Sequence, residues 1–313
     1  MSSTVIESGL TPAEARARRL LALPAVLVGM GSVQIGASLA KLLFPVLGAI
    51  ETACARVVLA AIVLLLLARP WRRGVRLFPG RTAAITIVAY GLSLAVMNTV
   101  FYAALSRLPL GITVAIEFMG PLALALAGSR RALDLLWVAL AVGGLLILLQ
   151  PWQFVGGHAG HPLDPVGILL ALTAGVTWAL YILVGRRLGG QVEGNTATAL
   201  GMAIAALAVL PFGWSVVPNL AIHPALLASA FGMAMLSSAV PYSIEMMAMR
   251  RMSTRGFSIM MSLEPAIAAV AGLLLLGEHL SPMRWLAIGG IVVASLGSAA
   301  AGDALPPPAP PPD

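Results

Sequence analysis

Long runs of apolar residues, separated by short polar segments, recur along the whole chain. A helix that crosses a bilayer needs roughly 20 mostly apolar residues, and runs of about this length follow one another from residue 21 onwards. The pattern therefore predicts an all-α integral membrane protein with ten transmembrane helices. The predicted spans are Leu21–Phe44, Ile50–Ala68, Ala83–Leu105, Ile112–Ala127, Leu133–Leu149, Pro165–Gly185, Thr196–Phe212, Ala225–Met249, Gly256–Leu276 and Met283–Ala301.

The predicted spans divide into two halves that resemble each other. At an offset of 144 residues, Pro121–Gly128 (PLALALAG) aligns with Pro265–Gly272 (PAIAAVAG), and Gly31 aligns with Gly175. Because each half holds an odd number of spans, the second half enters the membrane in the opposite sense. Inverted repeats of this kind are common in secondary transporters, where substrate binds near the midplane. We expect two inverted five-helix repeats, at 21–149 and 165–301, joined by an extracytoplasmic linker at 150–164.

Composition and charge support this architecture. Only 10% of the residues are charged, whereas soluble domains carry about 25%. The net charge of +7 is explained by orientation, without a nucleic-acid partner, because cytoplasmic loops of membrane proteins are enriched in Lys and Arg. With a cytoplasmic N-terminus, the basic residues on the cytoplasmic side are Arg16, Arg18, Arg19, Arg69, Arg72, Arg73, Arg76, Arg81, Arg130, Arg131, Arg186, Arg187, Arg250, Arg251 and Arg255. Both termini are therefore predicted to be cytoplasmic.

The two ends and the single cysteine add little chemistry. Residues 1–20 are predicted to be a cytoplasmic segment, since the apolar run that follows is too long for a signal peptide. Residues 302–313 form a Pro-rich tail, which we expect to be disordered and cytoplasmic. Cys54 is the only cysteine, so an intrachain disulfide is excluded.

Polar residues lie inside six of the predicted spans: the first, third, fourth, sixth, eighth and ninth. A charge at the bilayer centre costs about 2.5–3.5 kcal/mol even on insertion scales, so each should face a cavity or a partner. The polar residues recur at helical spacing, which predicts that these six helices line a cavity while four apolar helices surround them. The candidate substrate-binding residues are Gln34, Ser38, Lys41, Asn98, Tyr102, Glu117, Trp178, Tyr181, Tyr242 and Glu264.

Several of these residues also have structural interpretations. Lys41 lies within a turn of the end of its span and can extend to the membrane surface. The aromatic candidates can serve packing alone. Two further charged residues are expected in structural ion pairs. These pairs join Arg56 to Glu51 or Glu117, and Glu245 to Arg250.

Glu264 and Glu117 lie well inside their spans and are the candidates for proton coupling. Burial in an apolar helix disfavours the charged form of a carboxyl group, whereas a nearby cation restores it. One carboxyl group can therefore hold a proton in one conformation and exchange it for a substrate ammonium in the other. The sequence leaves three interpretations of Glu264 open: a structural partner, a ligand for the substrate ammonium, or a proton carrier.

Five stretches resemble the drug/metabolite transporter superfamily. They are GASLAKLLFPVLGA, PLGITVAIEFMGPLALAL, WALYILVGRR, PYSIEMMAMRRM and MSLEPAIAAVAG, and the resemblance covers roughly Leu27 to Ser298. It implies ten spans in two inverted repeats, with a cavity lined by the six spans named above. It also implies export of small amino acids of the threonine or homoserine type, or of related metabolites, from the bacterial inner membrane by proton antiport.

Other functional classes are less compatible with the sequence. Ser38 and Lys41 form an S-x-x-K pair, but the further elements of that catalytic motif are missing. No zinc-protease, nucleophile-elbow or phosphate-loop motif occurs, so we expect neither an enzyme nor a cofactor or metal. An inverted repeat favours alternating access over a channel. Export of other metabolites or drugs, and a non-transporting membrane scaffold, remain as alternatives, and the oligomeric state is open.

Overall fold

The regular secondary structure of the computed structural model is entirely helical over the residues it describes, which are 12–72, 80–127, 132–149, 163–189, 192, 194–241, 244 and 260–301. A 3-10 turn at Pro70–Arg72 follows α2, and a π-helical segment at Met235–Ala239 follows α9. The predicted all-α fold is confirmed for this part of the chain. The helices are α1 (Pro12–Leu47), α2 (Ala49–Ala68), α3 (Arg81–Leu105), α4 (Leu110–Ala127), α5 (Ala132–Leu149), α6 (Pro165–Gly189), α7 (Gly194–Gly213), α8 (Val216–Ile222), α9 (Pro224–Ala234), α10 (Glu264–Leu276) and α11 (Pro282–Ala301).

Several helices are long and apolar enough to cross a bilayer. Within the described ranges there are five such spans, and a bent helix pair would make a sixth. Four more apolar helices of 10–17 residues lie in α4, α5, α10 and α11. The five spans are Pro24–Leu47, Ala49–Arg72, Arg81–Leu105, Pro165–Leu188 and Thr196–Gly213.

The bent pair lies where the eighth span is predicted. Val216–Ile222 and Pro224–Ser238 meet at 117° around His223. The residue before a proline is disfavoured in the helical region, and His223 accordingly has φ −121° and ψ 87°. The predicted span begins at Ala225, and the structure has in addition the short helix α8, which none of the predicted spans includes. Residues 242, 243 and 245–259 lie outside the described part of the chain.

Two apolar clusters organise the helices. One joins α2, α3 and α7 with α8 and α9, and the other joins α4, α5, α10 and α11. Helix α6 contributes Leu188 to the first cluster and Ala171 to the second. Helix α1 contacts α2, α9, the π-helical segment and α10, so it lies against elements of both clusters.

The outer surface of the helices is apolar. Leu207, Phe212, Leu274 and Leu286 are each at least 70% exposed in the isolated chain. Extensive exposed apolar surface marks a region that another apolar phase covers. Together with the long apolar helices, it indicates a multi-pass membrane protein with lipid-facing side chains.

Helix α6 begins at a well-defined cap. Asp164 Oδ1 accepts hydrogen bonds from the backbone N–H groups of Val166 (2.8 Å) and Gly167 (3.4 Å), and Pro165 occupies the first helical position. The other oxygen, Oδ2, accepts a hydrogen bond from Arg107 at 2.8 Å. The hydrogen bond from Arg107 and those from the backbone lower the pKa of Asp164.

A close backbone contact positions the predicted cavity face of α4. A Cβ atom on Gly120 would collide with the carbonyl oxygen of Gly175 on α6, and one on Gly175 would lie 2.6 Å from the carbonyl oxygen of Glu117. Only glycine permits this approach without displacing a backbone. The contact brings Glu117, which lies one turn before Gly120, directly against α6.

Candidate functional site

Five of the predicted substrate-binding residues lie in two polar clusters at different depths along α1. The first, which we call the inner cluster, contains Gln34, Arg56, Tyr102, Glu117, Ser238 and Glu264. The second, the outer cluster, contains Lys41 and Glu278 together with the backbone of Leu108 and Leu110. Successive polar positions on α1 reach both clusters because they recur on one helical face.

The two carboxyl groups of the inner cluster are buried. Gln34 Nε2 donates a hydrogen bond to Glu264 Oε1 at 3.4 Å, which joins α1 to α10. Glu117 on α4 lies within electrostatic range of both Glu264 and Arg56. The structure therefore brings together the two residues that the sequence predicts for proton coupling.

Glu264 stands at the first position of α10, directly before Pro265. Leu263 precedes it as the helix N-cap, and the short stretch Ser262–Leu263 separates it from the helical residues Met260 and Met261. Proline is favoured in the first turn of a helix because its missing N–H group has no partner there. The carboxylate consequently faces the N-terminal end of a helix inside an apolar environment, where the helix dipole favours negative charge.

Arg56 connects three elements of the inner cluster. Its Nε donates to Ser238 Oγ in the π-helical segment at 3.2 Å, and its Nη1 donates to Tyr102 OH on α3 at 3.3 Å. The guanidinium carbon lies 5.3 Å from the centre of the Tyr102 ring, within cation–π range. Tyr102 is fully buried. A partly buried cation, held by hydrogen bonds to two neighbouring elements, therefore lies within electrostatic range of the buried Glu117 carboxyl group.

Gln34 offers an open hydrogen-bonding position. Its Oε1 atom is buried and accepts no hydrogen bond from any described residue. Buried polar atoms in proteins nearly always have a partner, so such an atom indicates a place where a ligand or water can bind. Gln34 is thus the residue of α1 most directly equipped to contact a polar substrate.

The other hydroxyl and amide candidates bond within their own helices. Ser38 Oγ donates to the Gln34 carbonyl oxygen at 2.8 Å, and Asn98 Nδ2 donates to the Leu94 carbonyl oxygen at 2.7 Å. Both side chains are buried. They give α1 and α3 polar inner faces without adding a charge.

The aromatic candidates contact other aromatic rings. Tyr90 OH donates to Tyr181 OH at 2.9 Å and the two rings stack, with centroids 4.8 Å apart. Trp178 meets the ring of Phe118 edge-on at a centroid distance of 5.9 Å. Both contacts hold α6 against α3 or α4. Tyr242 and Glu245, the remaining candidates, lie outside the described residues.

The outer cluster contains a residue that the sequence analysis missed. Lys41 Nζ lies 2.6 Å from Glu278 Oε1 and donates a further hydrogen bond to the Leu108 carbonyl oxygen at 2.7 Å. Glu278 Oε2 accepts a hydrogen bond from the Leu110 N–H at 2.7 Å. Glu278 follows the ninth predicted span, where an acidic residue is unremarkable. In the predicted repeat Glu278 lies 144 residues after Asp134, and only this position distinguishes it in the sequence from an ordinary acidic residue at the end of a span.

The described residues do not resemble a metal site. No three His, Cys, Asp or Glu side chains approach one another closely enough to hold a metal ion within the ranges that the structure covers. The inner cluster instead holds two buried carboxyl groups and a partly buried guanidinium.

Comparisons with known proteins identify the family. Residues 165–299 match the EamA-like transporter family. The chain is 44% identical over 273 residues to the threonine/homoserine exporter RhtA of Escherichia coli, covering 87% of this chain and 89% of that protein. RhtA of Salmonella typhimurium matches with the same identity and coverage. An uncharacterized transporter of Bacillus subtilis, YwfM, is 22% identical over 160 residues, covering 51% of this chain and 53% of its own.

This chain belongs to the RhtA family of EamA-like transporters.

Membership in the RhtA family confirms the predicted resemblance to drug/metabolite transporters. It also confirms that the protein is a transporter and not an enzyme, since the matched proteins and family are transporters. The EamA-like match covers nearly the same residues as the predicted second repeat. For an RhtA-family transporter, the inner cluster is the natural candidate for the substrate site, because charged residues inside membrane spans mark transport pathways.

Proposed function

We propose that this protein exports threonine, homoserine or similar small amino acids across the bacterial cytoplasmic membrane by proton antiport. The proposal is supported by the names of the RhtA relatives, which match this chain over 87% of its length. The observation that carries it in the structure is the inner cluster, where the buried Glu117 lies within electrostatic range of both the buried Glu264 and Arg56. Such intramembrane charges are costly and are retained for function.

The proposed architecture is ten transmembrane helices in two inverted five-helix repeats, with both termini in the cytoplasm. The five long apolar helices, the bent pair and the four shorter apolar helices each overlap with one predicted span. The sequence offset of 144 residues supports the repeat, and the distribution of arginines supports the orientation. Substrate would bind between the repeats, near the midplane.

The inner cluster has the charge pattern that a zwitterion requires. We assign the substrate carboxylate to Arg56, whose planar guanidinium is suited to carboxylate binding. The substrate ammonium is assigned to Glu264 and Glu117, and the open Gln34 Oε1 provides an additional acceptor. Lys41, which the sequence also predicts as a substrate ligand, is held at 2.6 Å by Glu278, so we assign it a different role below.

Proton coupling follows from competition for the same carboxyl groups. Two carboxylates in electrostatic range of each other cannot both be charged without compensation in an apolar site. A substrate ammonium compensates one charge, and a proton does so when substrate is absent. Exchange of one for the other in alternating conformations gives antiport, with Glu264 as the first candidate for the exchange and Glu117 as the second.

The first experiment is export from cells. In a strain that lacks its own threonine and homoserine exporters, expression of the chain should increase resistance to toxic concentrations of both amino acids and raise their concentrations outside the cell. The control is Glu264→Gln at the same membrane abundance, which should give neither effect.

Two alternatives predict different outcomes. Exporters of other metabolites or drugs would leave threonine and homoserine levels unchanged but would give resistance to another compound that also depends on Glu264. A non-transporting scaffold would give no resistance and no movement of labelled amino acid in proteoliposomes. Either result would contradict the proposal.

A further inference from the structure

The outer cluster ties both predicted repeats together at one end of the molecule. Lys41 lies on α1, Leu108 and Leu110 lie at the α3–α4 turn, and Glu278 follows the end of α10. The contacts that Lys41 and Glu278 make with each other and with the α3–α4 turn all lie at the same end of the helices. In the predicted orientation this is the extracytoplasmic end, directly above Ser38 and Gln34 on α1.

Two glycines near the end of α10 allow the Glu278 carboxylate to reach this position. Gly277 ends α10 with φ +65°, a left-handed conformation that glycine adopts without strain. A Cβ on Gly272 would lie 2.6 Å from Glu278 Oε2, so the carboxylate folds back over a glycine of its own helix. Both carboxylate oxygens are then used, one by Lys41 and the other by the Leu110 N–H.

A second ion pair at the same end provides a contrast. Arg107 and Asp164 lie 2.8 Å apart, but their side chains are 46% and 32% exposed, against 24% and 14% for Lys41 and Glu278. Exposed pairs contribute about 0–1 kcal/mol, whereas removal of one partner from a desolvated pair leaves a charge without compensation. Lys41 and Glu278 therefore have the larger capacity to bias a conformational equilibrium.

We propose that Lys41 and Glu278 form the outer gate of the transport cycle. The proposal rests on the alternating-access mechanism of the proposed function. The outer gate is closed in this structure, and its opening separates α1 and the α3–α4 turn from α10.

The test measures access to the cavity and does not depend on which substrate is carried. In a Cys54→Ala background, Ser38→Cys introduces one thiol a turn below Lys41. Its reaction with a membrane-impermeant maleimide is measured in intact cells and in inverted vesicles. Lys41→Ala and Glu278→Gln should each raise the rate in intact cells about tenfold, which corresponds to a shift of ~1.4 kcal/mol in the equilibrium between states.

Two controls separate gating from damage to the fold. Arg107→Gln removes the exposed ion pair at the same end and should leave the labelling rate unchanged. The double variant Lys41→Ala with Glu278→Gln should label no faster than either single variant, since both remove the same interaction. Size-exclusion profiles in detergent identify any variant that fails to fold, and either single variant is sufficient for the test.

Unchanged external labelling in both folded single variants would overturn the outer gate, and an additive double variant would overturn the pairing. Failure of amino-acid export with the expected labelling results would count against the substrate proposal alone.

Discussion

Arg56 is the residue whose contacts best separate a binding role from a purely structural one. It donates hydrogen bonds to Tyr102 and Ser238 and lies in electrostatic range of Glu117. A residue that only joined helices would affect stability, whereas a ligand for the substrate carboxylate would affect substrate affinity.

We expect Arg56→Gln to raise the KM for export by about 30-fold, because a desolvated charged hydrogen bond contributes roughly 2 kcal/mol or more. The measurement is the concentration dependence of labelled threonine transport in proteoliposomes. Arg69→Gln is the matched control, since Arg69 lies just beyond the end of the same helix and is exposed. An unchanged KM in folded Arg56→Gln protein would remove Arg56 from the binding site.

The sequence predicted the buried residues of the inner cluster more completely than the outer cluster. Glu117 and Glu264 stand out because a carboxyl group within an apolar run has a clear cost. Glu278 lies after such a run, where charged residues are ordinary, so its partnership with Lys41 depends on a fold that brings residues 237 positions apart into contact. The pattern of apolar and polar residues alone does not predict the contact between Lys41 and Glu278.

At the scale of elements, the crossing of α4 and α6 controls the position of Glu117. Gly120 and Gly175 allow direct backbone contact between the two helices. Within apolar surroundings, small residues permit the close packing that holds membrane helices together.

Gly120→Ala should therefore destabilise the protein by about 1–3 kcal/mol, the usual cost of overpacking. We expect a lower midpoint of thermal unfolding in detergent, measured by loss of the monodisperse peak in size-exclusion chromatography. Gly143→Ala on α5 is the matched control, because a Cβ there meets nothing within 4 Å. Equal midpoints for the two variants would show that the crossing is not tightly packed.

The apolar runs predicted the long helices, but none of the predicted spans includes the short helix Val216–Ile222. This helix has seven residues and contains Pro218, so it is too short to be recognised from the sequence as a membrane span. Its helical state depends on Val216 and Leu220, which are buried in the cluster formed with α2, α7 and α9. Tertiary packing therefore decides the structure of this segment.

For the whole molecule, the orientation in the membrane determines which side the proposed outer gate faces. The positive-inside pattern predicts that the loop with His158 and His161 lies outside the cell and that the end of α6 near Arg186 lies in the cytoplasm. The assignment of Lys41 and Glu278 to the extracytoplasmic end depends on this prediction.

Single cysteines introduced in a Cys54→Ala background test the orientation. A cysteine at His158 should react with an impermeant maleimide in intact cells, and a cysteine at Arg187 should react only in inverted vesicles. The reverse accessibility would contradict both the ten-span topology and the assignment of Lys41 and Glu278 to the outer gate.

The central claim is that Glu264 couples proton movement to export of a small amino acid. Glu264→Gln keeps the shape of the side chain but cannot release a proton. The direct measurement is uptake of labelled threonine into proteoliposomes that are acidic inside, where proton efflux drives accumulation. We expect uphill uptake by the wild-type protein and none by folded Glu264→Gln protein, which should still exchange labelled for unlabelled threonine if Glu117 retains the ammonium. Uphill uptake by Glu264→Gln with wild-type pH dependence would contradict the account.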